Sequence, residues 1–188
     1  MENMTNPRLR QEAGDISLVP PEDRVSGQGT TPIMAAFTHL APEGSRFTDG
    51  TYGVYYAGRS LDTAIAESQH ARERFLSRTQ EAPVEVDMRT YLADLEGELH
   101  DIRDAPRFAA VYDPGNYAAG QVLGRELKAI KSGGLAYDSV RQPGGECVAV
   151  FRPRLLSNCM QAQHFCFVWD GARIAQVYEK RSYPAAGT

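Results

Sequence analysis

No apolar run in the 188-residue chain approaches the roughly 20 residues that cross a bilayer. The stretch from Met1 to Gln11 also lacks the apolar core of a secretory leader. A cytoplasmic location without a membrane partner is therefore expected. Cysteine is scarce: Cys147, Cys159 and Cys166 show none of the tight paired spacing of a zinc site, and they read as reduced core thiols. The four histidines, His39, His70, His100 and His164, are spread one per expected element, so no metal site is expected. Positive charge is not in excess either. Lys and Arg number 20 against 24 Asp and Glu, a net charge of -4 that argues against non-specific binding to nucleic acid. Gly133-Gly134 and Gly144-Gly145 fit no Walker or dinucleotide fingerprint and read as turns.

What is present is enough apolar material for one globular domain with a substantial core. Residues 1–31 are rich in Pro, Gly, Ser and acidic side chains, and read as a polar arm that wraps the surface or is partly disordered. The domain proper is expected over 32–182, with a short tail at 183–188. Ile33 to Phe37 reads as a strand or short helix, and Tyr52 to Ala57 as a strand. Asp62 is the expected cap of a helix over Leu61 to Arg78. Strands are expected at Val84 to Met88 and Leu95 to Ile102. A helix follows over Tyr117 to Ile130, with Val122, Leu123, Leu127 and Ile130 on one face. The last third reads as strands at Leu135 to Val140, Glu146 to Phe151, His164 to Trp169 and Arg173 to Tyr178, with Asp170-Gly171 turning the final hairpin. Strands at both ends with helices between them indicate an α+β fold, not regular βαβ alternation.

Chemistry concentrates between Gly44 and Glu67, in GSRFTDGTYGVYYAGRSLDTAIAE. An arginine in a Gly-rich loop, Arg46, suits a pyrophosphate because its planar fork donates paired hydrogen bonds and stays charged; it also reads as a surface arginine in an ordinary ion pair. Tyr55 and Tyr56 point to opposite faces of a strand, so one can enter the core while the other offers a flat ring to a cleft, although both could be structural. Glu67, among small neighbours on the helix, could hold ribose hydroxyls and stabilise a developing ribosyl cation, or lie on the helix surface. His70 follows it by three positions on the same face.

The order of these residues resembles the RES-domain family, named for an Arg, a Glu and a Ser. Ser45-Arg46-Phe47 resembles its arginine loop, Tyr56-Ala57-Gly58 its strand end, and Thr63 to Glu67 its helix signature. Tyr137-Asp138-Ser139-Val140-Arg141 resembles the serine segment, and Gly145 to Pro153 the strand after it. Phe47 and Thr48 stand where Trp and Asn are common. The resemblance covers about Ile33 to Tyr178. It implies an ADP-ribosyltransferase-like single domain with two small, mostly antiparallel sheets around an NAD cleft, flanked by helices. It further implies catalytic Arg46, Glu67 and Tyr56, with Ser139, Tyr55 and Arg59 joining Arg46 and Tyr56 in binding NAD. NAD is implied as consumed substrate, with no other cofactor and no metal. The activity implied is cleavage of the nicotinamide-ribose bond by a toxin that an Xre-type helix-turn-helix antitoxin neutralises by blocking the pocket, DNA being reached only through the antitoxin. Transfer of ADP-ribose to protein and non-catalytic binding of a nucleotide or antitoxin stay open as alternatives.

Overall fold

The computed structural model describes residues 14–103, 106–181 and 183; residues 1–13 of the expected arm and most of the expected tail lie outside them. Among the described residues three α-helices and seven strands follow in order: α1 (Thr30–Thr38), β1 (Tyr55–Gly58), α2 (Leu61–Thr79), β2 (Val84–Leu95), β3 (His100–Asp101), α3 (Ala118–Ala129), β4 (Gly134–Asp138), β5 (Glu146–Val150), β6 (Leu156–Trp169) and β7 (Ile174–Lys180). They form an α+β fold with two small sheets. The first runs β1-β5-β4-β3, antiparallel except for the short parallel β3–β4 pair, and the second runs β2-β6-β7, wholly antiparallel.

Helix α2 joins the two sheets because it has two useful faces. Ile65 and Leu76 pack with Phe165, Phe167, Trp169 and Ile174 of the second sheet. Positions 67, 70, 71, 74, 75 and 78 fall on the opposite side by the 3.6-residue period and border a cavity. Its cap is Ser60, whose side chain accepts the Thr63 N–H, while the expected cap, Asp62, lies in the first turn and adds its charge there.

Several expected elements shift. Of its two expected readings Ile33 to Phe37 takes the helical one, within Thr30–Thr38, and sends Ile33 and Phe37 into a core with Val19, Val150 and Leu156. The two strands expected over 84–102 are one twelve-residue β2 followed by the two-residue β3, since β2 pairs along nearly its whole length with β6 and bridges two irregularities on the way. On α3 the inward face is Gly120, Leu123, Gly124 and Leu127; Val122 and Ile130 are exposed at 45% and 67%. Two glycines in the buried stripe let the chain at Arg46 and Phe47 lie against the helix backbone. A Cβ at Gly120 would stand 2.3 Å from the Arg46 carbonyl oxygen, and one at Gly124 2.1 Å from that of Phe47. The Asp170-Gly171 hairpin forms as expected, with Gly171 at φ +99° and the Asp170 side chain accepting the N–H groups of Ala172 and Arg173. All three cysteines are free and buried.

Candidate functional site

The cavity has a volume of about 390 Å³ and lies between α2 and the first sheet, closed at one side by residues 41–46. The resemblance implied a cleft between two sheets; here β1, β4 and β5 supply the sheet wall through Tyr56, Tyr137 and Cys147, and no residue of β2, β6 or β7 lines it. Size and mixed lining suit a small-molecule site.

Arg46 stands at its inner end and is 6% exposed. It is not the mobile loop fork expected from the glycines, because the loop around it is pinned from several directions. Ser45 bonds Thr48 across a bridge, the Tyr56 hydroxyl accepts the Phe47 N–H at 3.0 Å and meets Ser45 Oγ at 2.7 Å, and Gln121 donates to the Ser45 carbonyl. The guanidinium Nη1 donates to the carbonyls of Val111 and Asp113 at 2.7 and 3.0 Å. Its Nε and Nη2 have no hydrogen-bond partner among the described residues and are not fully buried. Arg46 also lies over the Tyr117 ring, 4.7 Å from its centroid, and Arg74 of α2 lies 4.6 Å from the same centroid. Neither arginine forms a salt bridge among the described residues. Two guanidiniums held together on one ring, neither of them in such a salt bridge, are placed to share a diphosphate.

Glu67 faces the same space from the second turn of α2. Its Oε1 accepts the Ser139 hydroxyl at 2.6 Å. Ser139 itself accepts the N–H groups of Arg141 and Gln142 at 3.1 and 3.0 Å. With both lone pairs engaged, its single proton is directed at Glu67. The serine thus fixes the carboxylate, and it is Glu67, not Ser139, that borders the cavity. The other carboxylate oxygen, Oε2, has no partner among the described residues.

Tyr56 turns its ring to the cavity and its hydroxyl inward, and burial drives that phenol well above its ordinary pKa, so it remains protonated. His70 also lines the cavity. Its Nε2 lies 2.8 Å from Arg141 Nη2 and 3.3 Å from the Tyr117 hydroxyl. Burial, then the charges of Arg141 and Arg74, lower its pKa to about 4. A neutral ring follows, with the Nε2 lone pair accepting from the Arg141 guanidinium. Burial, reinforced by the Glu67 charge, pushes the Cys147 thiol up to about 12, so it is a wall and not a nucleophile.

Two expected ligand contacts fall elsewhere. Tyr55 alternates to the far face of β1 and packs with the Ile33 and Phe37 core. Arg59 points outward, its side chain 76% exposed, and pairs with Glu146 at 3.0 Å. Several cavity residues escaped the sequence reading, among them Glu43, Arg74, Phe75, Arg78 and Tyr117. Arg74 stands seven residues from Glu67, a helical repeat that could have found it. Tyr117 arrives from the start of α3 with no local signal. Among the described residues no group of His, Cys, Asp and Glu could hold a metal, and no helix is long and apolar enough to cross a membrane.

An α+β domain in which one contiguous run supplies an arginine and a carboxylate, and the segment after β4 supplies a serine, is the class that fold and site define. The chain matches the RES domain family over residues 21–170 and belongs to it. It is also 32% identical over 180 residues to an uncharacterized protein, y4oC, of Sinorhizobium fredii, covering 95% of this chain and 74% of that one.

Proposed function

We propose that this protein cleaves the nicotinamide-ribose bond of NAD in the α2 cavity. The observation that carries the reading is Glu67, held by Ser139, in one cavity with the unpaired pair Arg46 and Arg74 on Tyr117. The diphosphate binds these two guanidiniums, and Tyr56 gives the nicotinamide ribose a flat wall. As the C1′–N bond lengthens, its electron pair leaves with nicotinamide and positive charge grows on the ribose. The Glu67 carboxylate is fixed beforehand where it can stabilise that charge, so little reorganisation is needed in the transition state. Water attacks C1′ and loses its proton to solvent, giving ADP-ribose; inorganic phosphate in its place gives the 1″-phosphate. His70, neutral near pH 7, adds no positive charge beside the ribosyl cation.

Membership of the RES family supports the wider reading: a growth-arresting toxin, restrained by an Xre-type helix-turn-helix antitoxin seated over the cavity and acting in the cytoplasm. Incubating the purified protein with NAD and following nicotinamide by chromatography tests the chemistry. ADP-ribose or its phosphorylated form should accumulate in step with nicotinamide. Undiminished NAD would remove the reading, and ADP-ribose found on protein by mass spectrometry would redirect it to transfer.

A further inference from the structure

Helix α2 carries the cavity well past Glu67. At 1.5 Å per residue, Arg74 stands about 10 Å, Phe75 about 12 Å and Arg78 about 16 Å further along its axis. All four line the same cavity. Phe75 leaves 49% of its surface exposed, with the Arg72 guanidinium 5.9 Å from its ring centroid. Beyond it Arg78 donates to Glu43 and ties the helix to the 41–46 loop, through side chains that are 49% and 40% exposed. A half-exposed pair of this kind adds little to stability.

A pyridine dinucleotide presents a ribose, two phosphates, a second ribose and a base in that order. Along α2 the cavity presents a carboxylate, then a cation, then an aromatic ring and an acid-base pair only about 4.5 Å apart along the axis, so ring and pair share the end where the second ribose and the base fall. We propose that the outer end of this cavity binds the adenosine half of the dinucleotide, with Phe75 stacking on adenine and the Glu43–Arg78 pair selecting NAD over NADP. This rests on the function proposed above. Glu43 accepts hydrogen bonds from the hydroxyls of the second ribose, whereas a 2′-phosphate there would meet a carboxylate. Arg78 has the fork geometry to hold that phosphate, but Glu43 already engages it.

The test compares kcat/KM for nicotinamide release from NAD, NADP and nicotinamide mononucleotide. The wild type should prefer NAD over NADP. Glu43→Gln should reduce that preference at least tenfold by admitting NADP, and adding Arg78→Ala should erase the gain. Phe75→Ala should shrink the preference for NAD over the mononucleotide at least fivefold, chiefly through KM for NAD. Circular dichroism and direct binding of ADP-ribose to each variant separate misfolding from lost recognition. If the wild type cleaves NAD while folded Glu43→Gln and Phe75→Ala leave both preferences within twofold, the adenosine assignment is overturned and the cleavage reading survives. If the wild type releases nicotinamide from none of the three, both fall.

Discussion

Ser139 shows how little freedom the reacting groups have. Its hydroxyl accepts two backbone N–H groups and has one proton left, which goes to Glu67. A hydrogen bond to a charged acceptor is worth about 1.5–3 kcal/mol. Ser139→Ala should therefore lower kcat for NAD about 10- to 100-fold with a smaller change in KM, and steady-state kinetics would read it. A nucleophilic serine would instead leave a ribosyl adduct detectable by mass spectrometry. His70 makes a separate prediction. Its folded pKa, near 4, lies below the ordinary histidine value, so between roughly pH 6.5 and 4 the unfolded chain binds more protons than the folded one. Its contribution to stability is complete above that window and is lost as the pH falls through it. His70→Gln should flatten the fall in Tm between pH 6.5 and 4.5, and an unchanged slope would place the acid sensitivity elsewhere.

Among the elements, α2 and α3 divide the labour. The first was legible in the sequence, since the apolar repeat at Ile65 and Leu76 and the polar repeat from Glu67 lie within one uninterrupted helix. The same period extends to Arg74, which the sequence reading passed over because nothing local marked it as a ligand. On α3 the sequence misled, because Val122 and Ile130 look like core while the buried stripe contains Gly120 and Gly124, which have no side chain to betray them. Their role is close approach: they seat the chain that presents Arg46. Gly120→Ala would drive a methyl group into the Arg46 carbonyl, at 2.3 Å before relaxation. Overpacking of this sort costs about 1–3 kcal/mol. Denaturant unfolding should show that loss, and KM for NAD should rise as the guanidinium shifts. A variant as stable and active as the wild type would mean that the loop has slack.

Across the whole molecule, chain topology assembles what local pattern could not. Arg46, Glu67, Tyr117 and Ser139 come from a loop, a helix, the start of a second helix and the segment after β4. The contiguous run from Gly44 to Glu67 was readable because loop, strand and helix follow one another in space as in sequence. Tyr117 enters only because α3 packs on that loop, and Tyr55 and Arg59 leave because strand alternation and the Glu146 ion pair turn them away. Part of the polar N-terminal segment is also tied to the domain. Val19 is buried in the core, and Asp23 accepts from Arg152 at 2.9 Å and pairs with Arg154 at 3.2 Å. Removing the carboxylate strands a partly buried arginine, so Asp23→Ala should cost about 2–3 kcal/mol in chemical denaturation; a loss below 0.5 kcal/mol would show the contact to be incidental. The central claim is that Glu67 breaks the nicotinamide bond of NAD held by Arg46 and Arg74. Nicotinamide release by the wild type and by Glu67→Gln, each shown to bind ADP-ribose, tests it most directly. The prediction is turnover by the wild type and a loss of about 10²–10³-fold in kcat for the variant; equal rates in the two proteins, or no release by either, would contradict it.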